Sequence, residues 1–501
     1  MRHLKLYSIV ALLMIAFMAS CSKDFIEVAP EGKPLEDSYY RNEAEATAAL
    51  IAVYDVTRKN SGGFENMITM MNAGSDDHFA GGGGATDGAG IQGFSNYTIT
   101  PITIPASFWN DHYQGIFRAN ILLQKLPSVD MSEALKTRFE AESKALRALY
   151  YFNLVRMFKN VPLILEPLTP ADMYNVLQAT PADVYTQIEL DLVAAIAVLP
   201  ATVPDAEKGR FTKGAAQALL GKVYLFDGKN TQAAAVLAEV NGTPGSPNQY
   251  GNYLLANYND LWVVNNKFNA ESLLEVAHAS TGSSHWGVWG SGSDEGNSVN
   301  VMVGPRGYVK LGSAAPSLPA GWSFNVITQE LYNQLNGDPR FDATIFDLKA
   351  LQTSGQADYI AGYQDTGYFL NKFLPRQVDV STGTGDAVLN YRQNTYVIRL
   401  ADTYLMEAEA LGGTGTRAQA LLDAVRARVG LSPVPVSMTA IKAERRKELA
   451  GEGHRFFDLV RWGDAASVLS SRGFVAGKNE IFPIPYKELE NTLIQQNPNY
   501  N

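Results

Sequence analysis

The stretch from Glu444 to Gly463, ERRKELAGEGHRFFDLVRWG, carries acidic and basic residues in dense alternation. Such a concentration of charge could form a catalytic cluster, or the charges could pair with one another. The spacing favours pairing along helix faces that ties helices together, which is a structural role. The residues expected to pair are Arg445, Glu448 and Glu452, followed by Arg455, Asp458 and Arg461.

Helical patterns continue outward from this stretch in pairs. Thr212 is expected to cap a helix, and a turn at residues 227–230 separates it from a second helix running from Thr231 to Val240. A similar pair covers residues 400–411 and 418–429. Both pairs have alanine-rich faces that allow close approach, so the sequence predicts packing like that of tetratricopeptide repeats. Further helices are predicted at residues 42–59, 141–158 and 180–199.

Long segments poor in helix formers separate these helices, at residues 72–100, 241–318 and 353–390. Loops of this length are uncommon in a compact chain unless they are functional. The sequence therefore predicts a mainly α protein, in which helix pairs form a scaffold for a loop-rich, irregular half with minor β structure. We expect the function to reside in the loops.

The only cysteine of the chain, Cys21, follows a basic start and a short apolar run that ends in Ala19-Ser20. Residues 1–20 are typical of a secretory signal peptide rather than a membrane-spanning helix. The spacing resembles a bacterial lipoprotein box, which predicts cleavage before Cys21 and lipidation of its thiol. The alternative is a plain signal peptide followed by an accidental cysteine. A single lipid would tether a globular body to a membrane surface.

Composition excludes several classes of function. With 41 basic and 51 acidic residues the net charge is −10, which argues against nucleic-acid binding. The glycine run at residues 81–84 lacks the following Gly-Lys-Ser/Thr of a phosphate loop, so a flexible loop is predicted there. Histidines with zinc spacing, a nucleophile elbow and a distinctive carboxylate pair are all missing from the sequence. We expect no catalysis, no metal and no cofactor.

Three of the six tryptophans, Trp286, Trp289 and Trp322, fall among Gly, Ser and Asn. A flat indole can stack on the C–H face of a sugar ring, while neighbouring polar groups bind its hydroxyls. The alternative is that the rings pack the loops onto the scaffold. The neighbouring polar candidates are Asp294, Asn297, Asn300, Arg306 and Tyr308. A second candidate segment, Asp76-Asp77-His78, is expected either to contact a polar ligand or to form a solvated turn.

The run of residues 444–463 closely resembles the C-terminal motif of the SusD/RagB family of outer-membrane nutrient-binding lipoproteins. Other stretches resemble that family in the same order along the chain. They are CSKDF at 21–25, ESKALRALYYFNLVRMFKNVP at 142–162, RLADTYLMEAEA at 399–410, FPIP at 482–485 and QNP at 496–498. Met18 in the lipoprotein box and Asn499 near the terminus depart from the family pattern.

The resemblance implies a SusD-like fold, with an N-terminal region at residues 21–240 and a C-terminal region at residues 241–501. It also implies a non-enzymatic lipoprotein on the outer face of the outer membrane. Such a protein captures an oligosaccharide and passes it to a SusC-like TonB-dependent transporter; the alternative is a RagB-like protein that captures peptides. Position along the chain favours Asp76-Asp77-His78 and the three tryptophans as ligand contacts. Lys372, Tyr391 and Arg392 are further candidates.

Overall fold

The computed structural model of the protein describes residues 39–280 and 284–500, so the predicted signal peptide and Cys21 lie outside the described residues. The fold is mainly helical, as predicted. Within the described residues, β structure consists of four small antiparallel sheets of two strands each, apart from isolated bridges. Every helix in these two ranges is too short or too polar to cross a lipid bilayer.

The first half of the chain is built from eight helices within residues 39–280. They are α1 (Glu43–Asp55), α2 (Met67–Ala73), α3 (Ala89–Asn96), α4 (Ser107–Lys125), α5 (Glu133–Phe158), α6 (Pro181–Val198), α7 (Lys213–Phe226) and α8 (Asn230–Asn241). Strands β1 (Val161–Pro162) and β2 (Gln178–Ala179) pair with each other, and β3 (Ser272–Val276) follows α8.

The second half consists of shorter elements and long connections. Its helices are α9 (Ser298–Val303), α10 (Gln329–Leu335), α11 (Phe341–Thr344), α12 (Leu348–Thr353), α13 (Leu400–Ala410), α14 (Gly415–Arg428), α15 (Met438–Glu448), α16 (Arg455–Trp462) and α17 (Ala465–Val468). Its strands are β4 (Val309–Lys310), β5 (Ile345–Asp347), β6 (Ala357–Asp358), β7 (Tyr368–Leu370) and β8 (Thr395–Arg399). Strand β8 pairs with β3, β4 with β6, and β5 with β7.

The long helices pack as a continuous series, which confirms the predicted helix-pair scaffold. Helix α4 packs on α5, α5 on α6, α6 on α7 and α7 on α8, and α8 continues the series by packing on α13. The predicted caps are present, since the hydroxyl of Thr180 accepts a hydrogen bond from the N–H of Asp183 and that of Thr212 accepts from Ala215. The helical series therefore joins the two halves of the chain.

Part of the segment predicted as a loop at residues 72–100 is helical. Helix α3 begins after Gly88, which adopts a left-handed conformation with φ +70°. Its sequence, AGIQGFSN, has low helix propensity. Burial of Ile91 and Phe94 in the main core supplies the stabilisation that propensity does not.

The charged stretch forms a buried network, which confirms its predicted structural role. Glu448 lies 2.9 Å from Arg340 and 2.7 Å from Arg399, and it also pairs with Arg428. Glu452 lies 2.9 Å from Arg399. These partners come from other helices and connections, so the charges tie together elements that are distant in sequence. Burial alone would raise the pKa of Glu448, but the three guanidinium groups hold it well below its usual range.

Pairing along a single helix face is the exception among the predicted residues. Within the described residues, Arg461 and Asp458, 2.9 Å apart, are the only two of the six that pair inside one helix. Arg445 instead reaches Asp402 at 2.8 Å and Asp458 at 3.0 Å. The contacts across helices explain how the stretch organises the fold around it.

Candidate functional site: a tryptophan cluster

The three loop tryptophans form one cluster. The ring centroids of Trp286 and Trp322 lie 6.0 Å apart with an angle of 27° between the rings. Trp289 stands nearly perpendicular to both, with centroids 5.6 Å from Trp286 and 5.5 Å from Trp322. The structure therefore brings together residues that are up to 36 positions apart in the sequence (322 minus 286).

Helix α9 and the segment after α1 hold the cluster in place. The indole N–H of Trp289 donates a 2.8 Å hydrogen bond to Ser298 Oγ, and the backbone N–H of Trp322 donates to the carbonyl of Val301. Phe64 packs edge-on against Trp289, with centroids 6.1 Å apart. Two of the three rings are thus fixed by hydrogen bonds and packing before any ligand arrives.

Trp286 is the accessible member of the cluster, with 54% of its surface exposed. Its backbone N–H donates a 3.1 Å hydrogen bond to Asp386 Oδ2, which holds the loop while the ring remains open to solvent. Contiguous exposed apolar surface often marks a binding site, whereas singly exposed side chains do not. An exposed indole beside two half-buried indoles offers an apolar platform suited to stacking.

Polar groups lie beside this platform. The guanidinium of Arg306 donates to the carbonyl of Trp322 at 3.3 Å and lies 3.9 Å from the carboxylate of Asp87. Asp87 in turn accepts a 2.6 Å hydrogen bond from the N–H of Gly83. The glycine run at 81–84 is therefore part of the surroundings of the cluster. Arg306 is partly exposed and is the predicted polar candidate that the structure places beside the rings.

No sequence pattern marks Asp87 and Asp386 as neighbours of the tryptophans. Asp87 lies about 200 positions before Trp286, and Asp386 lies 100 positions after it (386 minus 286). Both follow or accompany glycine in loop segments, but many other acidic residues do so as well. Only the fold assembles them around the cluster.

The prediction for Asp76-Asp77-His78 is wrong, because the three side chains are buried and partnered inside the protein. Asp76 accepts hydrogen bonds from Arg455 at 2.8 and 2.9 Å, and Asp77 accepts from Arg446 at 2.8 Å. His78 Nδ1 lies 2.9 Å from the carbonyl oxygen of Asn325. Burial lowers the pKa of His78 to about 4. This segment fastens the region after α2 to α15 and α16.

The polar groups of Lys372 and Tyr308 are both paired inside the protein. The ammonium of Lys372 is buried and lies 2.7 Å from Glu452, so the lysine belongs to the charged network. The hydroxyl of Tyr308 donates a 2.6 Å hydrogen bond to the carbonyl of Pro316. Their roles as ligand contacts stay predictions. Tyr391 and Arg392 line a pocket that none of the three tryptophans lines.

Three polar neighbours of the tryptophans in sequence serve the loop itself. Asp294 accepts a 2.9 Å hydrogen bond from the N–H of Gly290. Asn297 donates to the carbonyl of Gln393 at 2.8 Å, and Asn300 donates to the carbonyl of Phe373 at 2.9 Å. All three are buried, so the expectation that they would bind sugar hydroxyls beside the indoles is wrong.

Comparison with known proteins agrees with the motifs. Residues 323–473 match a model described as the SusD family, and residues 36–225 match one described as starch-binding associating with outer membrane. A solved structure described as a laminarin-binding SusD-like protein is 68% identical, with a TM-score of 0.91. It covers 92% of this chain and 100% of that one. The chain belongs to the SusD/RagB family.

More distant relatives share the same SusD-like architecture. SusD-like protein P25 of Formosa agariphila is 26% identical over 97% of both chains. Surface glycan-binding protein A from Bacteroides fluxus is 27% identical, with a TM-score of 0.80 over 92% of this chain and 100% of that one. The likeness in fold extends over the described scaffold and the loop-rich half together.

Proposed function

We propose that this SusD-like chain binds a glycan at the tryptophan cluster and delivers it to a SusC-like TonB-dependent transporter. The observation that carries the proposal is the geometry of the three indoles, of which Trp286 is open to solvent beside two fixed rings. Sugar rings present C–H groups that stack on such faces. Arg306 and Asp87 lie where they could bind the hydroxyls. Binding without catalysis is the role inferred for the family.

Laminarin is the glycan that we propose as the ligand. Support comes from the 68% identical protein that is described as laminarin-binding. A neutral glucan suits a platform made of three uncharged rings, because stacking of a sugar ring on an indole does not require an opposite charge. The polar groups beside the rings would then orient the glycan, while stacking on the rings would supply most of the affinity.

Titration calorimetry with laminarin tests this assignment. The triple variant Trp286→Ala, Trp289→Ala and Trp322→Ala should lose at least a hundredfold in affinity, because stacking on aromatic rings is the main attractive contact. Tyr253→Ala, which removes a partly exposed ring outside the cluster, is the matched control and should bind as the unmodified protein does. If the triple variant retained its affinity, the site assignment would fail.

Peptide capture is the alternative from the same family, and it predicts a different result in the same titration experiment. A peptide binder should offer backbone-pairing polar groups rather than an exposed indole. Binding of a defined peptide pool, with no heat from laminarin, would favour that alternative.

Attachment to the outer membrane is the second part of the proposal. One matching family model is described as associating with outer membrane, and Cys21 follows a signal peptide-like segment. Lipid on Cys21 would hold the protein beside its transporter. Cys21→Ala should therefore bind laminarin in solution as well as the native sequence but fail to support uptake by cells. Undiminished uptake would contradict the anchoring step.

A further inference from the structure

A small cavity lies between helices of the scaffold, and most of the residues that line it are buried. Its volume is about 60 Å³, whereas a single water molecule needs roughly 10–15 Å³ on the same measure. The lining includes Arg156 of α5, Lys222 of α7 and His454, which directly precedes α16. None of the three cluster tryptophans lines it. The cavity is therefore separate from the proposed laminarin site and has room for a small ion with some water.

Three cationic side chains of the described residues line this cavity together with a single carboxylate. The cations are those of Lys59, Arg156 and Lys222, and the carboxylate is that of Glu452. Glu452 already belongs to the charged network, in which two cationic groups lie 2.7 and 2.9 Å from it. The two lysines each have a carboxylate partner of their own, at 3.4 and 3.2 Å. The balance of charge at the cavity therefore depends on Arg156.

Arg156 is held by neutral groups and forms no ion pair in the part of the chain that the structure describes. Its Nε donates to the carbonyl of Phe152 at 3.2 Å, and its Nη2 donates to the amide oxygen of Asn153. The rings of Phe152 and Phe457 lie 4.1 and 4.2 Å from the guanidinium. Burial lowers the pKa of Arg156 to about 10. A buried charge of this kind is unfavourable unless an opposite charge neutralises it.

The lining also offers N–H groups that are free to donate. The Nζ of Lys222 lies 3.4 Å from Nδ1 of His454. Burial lowers the pKa of His454 to about 4, so the ring is neutral and carries its proton on Nε2. Both His454 and Arg156 keep some accessible surface. Among the described residues, neither Nε2 of His454 nor Nη1 of Arg156 meets an acceptor. These two groups can therefore donate to an ion in the cavity.

The charges of Arg156 and Lys222 are close enough to act on each other. Burial lowers the pKa of Lys222, and the charge of Arg156 lowers it further, against the pull of Asp402. A water molecule in the cavity would hydrate both cations but leave the repulsion between them in place. An anion would remove that repulsion, because it attracts both groups.

We propose that this cavity binds a small inorganic anion, such as chloride, between Arg156 and Lys222, with the ring N–H of His454 as a further donor. The anion supplies the negative charge that Arg156 does not receive from a carboxylate of the described residues. The three residues come from α5, α7 and the start of α16, so the bound ion links three helices of the scaffold. Its effect is on stability, and glycan binding does not depend on it.

Thermal unfolding of the native chain in different salts tests the proposal. At constant ionic strength, chloride should raise the unfolding midpoint by about 2 °C relative to gluconate, which is too large for the cavity, because a ligand that binds only the folded state stabilises it. Arg156→Met removes the charge and should abolish this rise. Arg138→Met, which removes a half-buried arginine of α5 outside the cavity, is the matched control and should keep it. No rise in the native chain, or an equal rise in Arg156→Met, would overturn the proposal.

Diffraction from crystals soaked in bromide tests the same site without a substitution. Bromide replaces chloride and gives an anomalous signal that water does not give. We expect an anomalous peak in the cavity, within hydrogen-bond distance of the guanidinium of Arg156. Density for water alone at this place would contradict the proposal, even if chloride stabilised the protein. The triple tryptophan variant should keep the response to chloride, which separates failure of this site from failure of the laminarin site.

Discussion

The buried charged network and the tryptophan cluster are both unusual concentrations of one kind of side chain, and the structure uses them in opposite ways. Arg399 is 1% exposed and is met by three carboxylates, those of Glu271, Glu448 and Glu452. Trp286 is more than half exposed and touches chiefly other indoles. The carboxylates around Arg399 find their cationic partners within the described residues, whereas the cluster leaves a face for something else. The scaffold and the binding surface therefore differ in whether their side chains find partners inside the protein, and not in how rare those side chains are in the sequence.

The largest expected effect comes from breaking the network at Arg399. Arg399→Ala would leave Glu271, Glu448 and Glu452 buried with one guanidinium partner fewer, and breaking a buried ion pair typically costs about 3–5 kcal/mol. We expect the free energy of unfolding, measured by urea denaturation, to fall by this amount. Laminarin affinity of the fraction that remains folded should be unchanged.

The control for this prediction is an ion pair on the surface. Arg41 and Glu45 lie 2.6 Å apart at an exposed helix start. Exposed pairs contribute little to stability, so Arg41→Ala should leave the denaturation midpoint where it is. Equal losses of unfolding free energy from Arg399→Ala and Arg41→Ala would show that burial does not strengthen the ion pairs of the network.

Acidification should lower the stability of the fold, with a smaller effect per residue, and leave the binding surface of the tryptophan cluster unchanged. Burial lowers the pKa of His78, His112 and His278 to about 4. In the unfolded chain these groups titrate near 6.5. Between these values the unfolded state binds more protons, so stability falls as the pH falls from about 6.5 towards 4. By pH 4.5 the loss should reach roughly 2 kcal/mol for each histidine.

The measurement is urea denaturation at pH 7.5, 5.5 and 4.5, alongside laminarin titration at pH 7.5 and 5.5. The indoles carry no titratable group, so affinity should stay constant while stability declines. His278→Asn should flatten the pH dependence of unfolding, since the ring lies within 2.7 Å of Ser61 Oγ and 3.1 Å of the Glu295 carbonyl in a buried site. A stability that did not change down to pH 5 would contradict the burial of these neutral rings.

The sequence was sufficient to predict elements with local causes. Thr180 and Thr212 cap their helices through contacts three residues away, which is why both helices could be placed. The structural role of the charged stretch was also predictable. Its partners were not, because Arg340 and Arg399 lie about 50 to 110 positions from Glu448.

The candidate site, too, could be predicted from the sequence only in part. The three indoles could be chosen from composition, but their mutual distances depend on α9 and on Phe64. Asp76 and Asp77 had the composition of a solvated turn, and their burial follows from arginines about 370 positions later. Helix α3 cannot be predicted from its sequence, because its stability comes from burying Ile91 and Phe94 rather than from helix propensity.

Within the cluster, Trp289 and Trp286 should respond differently. Trp289→Ala removes a half-buried ring and its hydrogen bond to Ser298, so we expect a loss of about 1–2 kcal/mol in stability and at least tenfold in laminarin affinity. Trp286→Ala should lower the affinity by a similar factor with little change in the denaturation midpoint, because the ring is largely exposed. Comparable destabilisation by both substitutions would mean that Trp286 supports the fold rather than the ligand.

The smallest effect is expected in the glycine run beside the cluster. Gly82 has φ +88°, and a methyl group there would lie 2.4 Å from the ring of Phe324, which packs 5.1 Å from Phe64. Gly82→Ala should therefore destabilise the protein by on the order of 1 kcal/mol and weaken laminarin binding two- to threefold. Gly84→Ala is the matched control, because a methyl group there meets no atom within 4 Å. If both variants bound laminarin equally, the glycine run would act as a passive loop.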